Sequence, residues 1–249
     1  MSRRAILSLV ALAASSLAAA GPAFAAETAS FPAADGLVVS ADLYLAHPET
    51  APFVILFHQA GYSRGEYLEI APRLNALGFN AMAVDQRSGS GVKGLPNQTA
   101  ARAAAAGKPG GYLDALPDMA AAIAYARAGL ARGKLILWGS SYSASLVIKI
   151  AGEDPASCDA LLAFSPGEYF GKSGFIAASA AGVRVPAFLT SSRFELGSWA
   201  PILEAMPSPG KVGFVPKVSG MHGSCALWSS TRGNEEYWAA VEAFLAGLK

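Results

Sequence analysis

Gly139-Ser140-Ser141-Tyr142-Ser143 puts a serine midway between two small residues, each two positions away. A serine at the apex of a strained strand-to-helix turn can act as a nucleophile, but such a turn closes only if positions −2 and +2 carry no bulky side chain. Gly139 and Ser143 meet that condition around Ser141, whereas Trp138 stands two before Ser140 and rules it out. The same turn leaves the Tyr142 N–H at a helix N-terminus, where developing negative charge is stabilised. A helix-capping serine is the plainer reading of the same residue, so the rest of the chain has to decide.

A serine alcohol needs a base, and histidine is the usual one at neutral pH. There are three: His47 in a loop before Pro48, His58 at the end of an apolar run, and His222 in the glycine-flanked stretch Val218-Ser-Gly-Met-His-Gly-Ser224. His222 lies late in the chain on a loop able to reach back over Ser141. The imidazole in turn needs an acid to fix its tautomer. Glu195 is favoured because it follows the apolar run 186–190, and Glu168 is the reserve. Two backbone donors are needed for the acyl oxygen. Tyr142 N–H supplies one, and Ala60 N–H, in the turn after 53–57 that Gly61 lets approach closely, supplies the other.

These residues require elements that bring them to one edge. Phe31–Ala34 and Leu37–Leu45 read as an antiparallel pair around an Asp35-Gly36 turn. Further strands are expected at 53–57, 79–84, 134–138, 160–164, 186–190 and 212–218. Helices are expected at 66–77, 112–129, 142–150, near 199–206, and at 234–248. Residues 92–111, with Pro96, Pro109 and several glycines, read as a mobile insertion holding a short helix. The alternation implies an α/β fold: an eight-stranded, mostly parallel sheet with helices on both faces. Sites in such sheets form past the carboxyl ends of the strands.

Residues 1–25 read as an export signal: Arg3 and Arg4, an apolar stretch from Ile6 to Ala20, and Ala23-Phe24-Ala25 as the cleavage site. Residues 26–249 then form one domain, exported to a periplasm or beyond, with no stable membrane anchor expected. With the two signal arginines set aside, 17 basic residues face 18 acidic ones, which gives no electrostatic case for nucleic acid. The 53% hydrophobic content is swollen by alanine and includes no second run long enough for a membrane span. Cys158 and Cys225 fall at opposite ends of the expected sheet, so no disulfide is expected.

Four motifs in order resemble the α/β-hydrolase superfamily over nearly all of residues 26–249. Phe57-His58-Gln59-Ala60-Gly61 resembles its His-Gly-x oxyanion turn, with Gln for the usual Gly. Asp85-x-Arg87-x-Gly89 resembles its Asp-x-Arg-Gly stretch, and Gly139–Ser143 its nucleophile elbow, with Ser for the last Gly. The order Ser141, Glu195, His222 matches the family's, with Glu for the commoner Asp. The resemblance implies structural roles for His58, Asp85 and Arg87. Only about twenty residues separate runs 160–164 and 186–190, so a large cap is absent, as in dienelactone-hydrolase-like members, many of which carry Cys where this chain has Ser141.

The expected activity is therefore hydrolysis of a small-molecule ester through an acyl-enzyme on Ser141, without a cofactor. Peptidase, thioesterase or acyltransferase chemistry on the same residues, and a non-catalytic binder with the same fold, are the alternatives. Gly89-Ser-Gly91-Val-Lys-Gly94 fits the dinucleotide fingerprint G-x-G-x-x-G, but it lies away from a strand-helix junction and runs into Pro96. The scattered histidines and the lack of H-E-x-x-H give no metal site.

Overall fold

The computed structural model describes residues 27–249, and the expected signal at 1–25 lies outside the described residues. The chain runs β1 (Glu27–Pro32), β2 (Val38–Tyr44), β3 (Phe53–Phe57), α1 (Ile70–Ala76), β4 (Asn80–Asp85), a small ribbon of β5 (Gly91–Val92) and β6 (Leu95–Pro96), and α2 (Gln98–Ala105). It continues through α3 (Leu116–Gly129), β7 (Leu135–Ser140), α4 (Tyr142–Glu153), β8 (Ala160–Phe164), α5 (Phe175–Ala180), β9 (Ala187–Thr190), α6 (Leu196–Ala205), β10 (Lys211–Phe214) and α7 (Asn234–Ala246).

Eight strands form one sheet in the order β1-β2-β4-β3-β7-β8-β9-β10. Only β2 runs against its neighbours; from β4 to β10 every pairing is parallel. Side chains alternate across a strand, so Phe53, Ile55 and Phe57 join the core under α3 to α6, while Val54 and Leu56 join the core under α1 and α7. Burial on both faces explains why the central strands read as unbroken apolar runs.

Three expectations are corrected. The helix expected over 66–77 is a 3₁₀ turn, Arg64–Tyr67, followed by α1. Pro72 has no N–H and fits only a helix's first turn, so the helix begins close before it. The last strand ends at Phe214 rather than at 218, since Pro216 cannot extend a ladder. A short helix, α5, occupies the stretch after β8, where only a connection was expected.

Residues 92–111, read as an insertion with a short helix, carry β6 and α2 and are hydrogen-bonded to the sheet. Ser40 N–H donates to Thr99 Oγ1 at 2.9 Å, Arg102 donates to Ser40 Oγ at 2.8 Å, and Gln98 N–H donates to Asp85 at 2.8 Å. Asn97 and Thr99 are buried, and each polar group needs a partner there. The G-x-G-x-x-G stretch forms this ribbon, and a Cβ at Gly89 would sit 2.2 Å from Tyr62 O, so the glycine serves close backbone approach. Cys158 and Cys225 are both buried and free.

Candidate active site

β7 delivers Ser141 to the carboxyl edge of the sheet with φ 59° and ψ −122°, a backbone conformation that L-residues avoid. Such strain persists where surrounding contacts over-determine it. Here Ser141 N–H donates to Phe164 O at 2.7 Å, and a Cβ on Gly139 would come 2.4 Å from Ser143 O. The serine at +2 has its own reason. Ser143 Oγ donates to Phe57 O at 2.7 Å and receives Ser140 N–H at 2.9 Å, so its hydroxyl locks the turn to β3.

His222 Nε2 lies 2.8 Å from Ser141 Oγ, and its Nδ1 makes a short hydrogen bond to Glu195 Oε1. With Nδ1 donating to the carboxylate, Nε2 is left to accept the serine proton. Glu195 is oriented by its other oxygen: Oε2 receives Ser192 Oγ at 2.7 Å, Ser192 N–H at 3.1 Å and Ser165 Oγ at 3.1 Å. Partial burial pushes the Glu195 carboxyl up, but the bonds from His222, Ser192 and Ser165 outweigh it and leave the group below its ordinary value. Glu168 is elsewhere: its carboxylate receives the Ile176 and Ala177 N–H groups at 2.8 and 3.0 Å and caps α5.

Phe57 pairs with Gly139 across β3 and β7, so Ala60 and Tyr142 each stand three residues past a paired position on neighbouring parallel strands. Among the described residues neither N–H has an acceptor, whereas the preceding Gln59 N–H is taken by Glu66 Oε2 at 2.8 Å. Unpaired backbone amides past a strand end and at a helix N-terminus are the kind of donor that can hold an anionic oxygen.

The resemblance gave His58, Arg87 and Asp85 structural roles, and their contacts are internal. His58 Nδ1 lies 2.7 Å from Gln59 O. Arg87 pairs with Asp118 at 2.6 Å and Asp35 at 2.8 Å, and Asp85 pairs with Arg64 at 2.6 Å. Aromatic rings flank the Ser141 edge. Tyr112 stacks on Tyr142 with centroids 4.7 Å apart and meets Phe170 edge-on at 6.5 Å.

Sequence reasoning missed Glu66, Ser165, Ser192 and Ser224. For Glu66 a signal existed: it shares the helical spacing of Ile70 and Leu74, which puts an acid on an apolar face. The other three are ordinary loop serines in sequence, and only the fold brings them to the site.

A mostly parallel eight-stranded sheet carrying a strained serine past its fifth position, in contact with a later histidine that an acid holds in turn, defines an α/β hydrolase. The family model described as "Serine aminopeptidase, S33" matches residues 48–191, more than half of the chain, and the protein belongs to that family. No curated protein matches the sequence. Among solved structures the chain is similar to the Pyrococcus furiosus esterase Pf2001, at 16% identity, 90% of this chain, 93% of that one and a TM-score of 0.71. It is similar to a dienelactone hydrolase from Anabaena variabilis at 13% identity, covering 90% and 98%, with a TM-score of 0.69. Est1E from Butyrivibrio proteoclasticus, a structure with ferulic acid bound, follows at 15% identity, 86% and 96% coverage and 0.63.

Proposed function

We propose that this α/β hydrolase cleaves ester-type acyl bonds of a small-molecule substrate through a Ser141-His222-Glu195 triad. One observation carries the reading: the Ser141 hydroxyl, on a strained turn, lies 2.8 Å from an imidazole whose other nitrogen is held by a carboxylate. His222 takes the Ser141 proton as Oγ attacks the carbonyl, and the Ala60 and Tyr142 N–H groups hold the oxyanion. The imidazolium, steadied by Glu195, gives the proton to the leaving alcohol. Water activated by His222 then releases the acid.

Between β8 and β9 the chain carries only the six-residue α5, so that connection, where a large cap can be inserted, supplies no cap domain over Ser141, which favours a short or exposed ester. Among the described residues no helix is long and apolar enough to cross a membrane. We further propose export with cleavage near Ala25, which N-terminal sequencing of the secreted chain tests.

A fluorophosphonate probe followed by peptide mapping should label Ser141, and Ser141→Ala should abolish both labelling and p-nitrophenyl acetate turnover. Wild-type turnover in that variant would sink the assignment. The family description favours one second reading, an aminopeptidase on the same residues. Faster release of p-nitroaniline from aminoacyl anilides than of p-nitrophenol from short esters would favour it.

A further inference from the structure

Glu66 is fully enclosed, and among the described residues it has no basic partner; its carboxylate meets only neutral donors. Removing a carboxylate from water without a counter-charge is costly, and burial, only partly offset by the hydrogen bonds from Ser140 and the backbone, leaves this group raised to about 7. Every other fully buried aspartate or glutamate side chain is matched with arginine: Asp85 with Arg64, and Asp118 with Arg87. Those pairs serve the fold. What Glu66 binds is different in kind.

Its Oε2 receives the N–H of Gln59, the residue before Ala60, and its Oε1 receives the hydroxyl of Ser140, the residue before Ser141. Ser140 Oγ in turn receives the N–H of Ser224, two residues past His222, at 2.8 Å. The glycine between them leaves no slack: a Cβ at Gly223 would come within 2.3 Å of Gln59 Oε1 and 2.6 Å of Ser140 Oγ. We propose that Glu66 is a positioning residue, a single carboxylate that fixes the oxyanion turn, the nucleophile turn and the histidine loop relative to one another. The role rests on the serine-hydrolase reading of the site. Glu66 touches no reacting atom, and by occupying the Gln59 N–H it leaves Ala60 N–H as the next donor facing the acyl oxygen.

Displacing parts of a site by an ångström can cost about 100-fold in rate, so Glu66→Ala should lower kcat on p-nitrophenyl acetate by about that factor with KM little changed. Glu66→Gln should restore turnover to within about fivefold of wild type, because its carbonyl still accepts Gln59 N–H and its amide can donate to Ser140 Oγ. A folded Glu66→Ala protein with wild-type kcat and wild-type probe-labelling rate overturns the proposal, as does a change confined to KM. If Glu66→Ala does not fold, Ser140→Ala decides: it cuts the link to Ser224 and should slow labelling by about 10-fold, and an unchanged rate overturns the proposal. A wild-type protein that the probe leaves unlabelled overturns the serine-hydrolase reading itself; labelled wild type with unaffected variants overturns the positioning role alone.

Discussion

His58 and His222 both stand past the carboxyl ends of strands in one sheet, yet they are built for opposite tasks. His58 is fully enclosed. Its Nδ1 faces Gln59 O at 2.7 Å, and its Nε2 accepts from Gln86 N–H at 3.1 Å and lies 3.0 Å from Asn97 Nδ2. Burial pushes its pKa down, so it stays neutral and serves as a fixed donor and acceptor. His222 is part-exposed, with a hydroxyl on one nitrogen and a carboxylate on the other. Neutral amide partners on both nitrogens make a structural brace, while a hydroxyl and an acid suit a ring to the proton transfer proposed for His222. Residue type at a sheet edge therefore says little until both ring nitrogens have been followed.

The largest effect should come from breaking the His222 side. His222→Ala should lower kcat by about 10⁴-fold or more, with a nearly unchanged thermal midpoint because the imidazole itself is part-exposed. A variant retaining a tenth of wild-type turnover would erase the distinction between the two histidines.

The opposite signature is expected on the His58 side. Asn97 Nδ2 contacts His58 Nε2, Gln86 O and Tyr62 O, and its Oδ1 caps α2 by accepting Ala100 N–H at 2.8 Å. Asn97→Ala should cost about 4 kcal/mol of stability by leaving several buried groups unpaired. Urea unfolding measures that loss, and kcat/KM of the folded fraction should stay near wild type. Loss of activity without loss of stability would reverse the assignment.

The smallest effect concerns Glu66, the buried acid between the two regions. Its carboxyl is raised from 4.5 to about 7, so the folded state binds the proton more tightly than the unfolded chain. The stability this contributes is full below about pH 4.5 and is lost as pH rises through about 7, amounting to roughly 3 kcal/mol. Glu66→Gln has no such proton to lose, so its stability relative to wild type should grow across that window. A flat difference between pH 4 and pH 8 in urea midpoints would show that Glu66 does not titrate there. Glu195 slopes the other way: its lowered carboxyl stabilises the fold at neutral pH, a contribution lost as pH falls.

Much of this was written in the chain because it is local. The apolar runs at 53–57 and 160–164 became strands with the same limits, and Gly139-x-Ser141-x-Ser143 declared its turn through steric demands on five consecutive residues. Where local signals conflicted, the reading slipped. An amphipathic pattern over 66–77 concealed the break that Pro72 imposes, and the stretch after β8 hid the short helix α5.

Sequence alone determined the order of the sheet's strands and of the helices other than α5, the serine at the turn, and the short list of histidines and acids, because spacing and residue type act within a few positions. Only the tertiary structure decided between Glu195 and Glu168 as His222's neighbour, made a loop serine such as Ser192 part of the carboxylate's support, and placed Glu66 beneath three separate loops. Those choices depend on contacts between segments scores of residues apart, whose distances are set by how the sheet twists and packs rather than by any pattern along the chain.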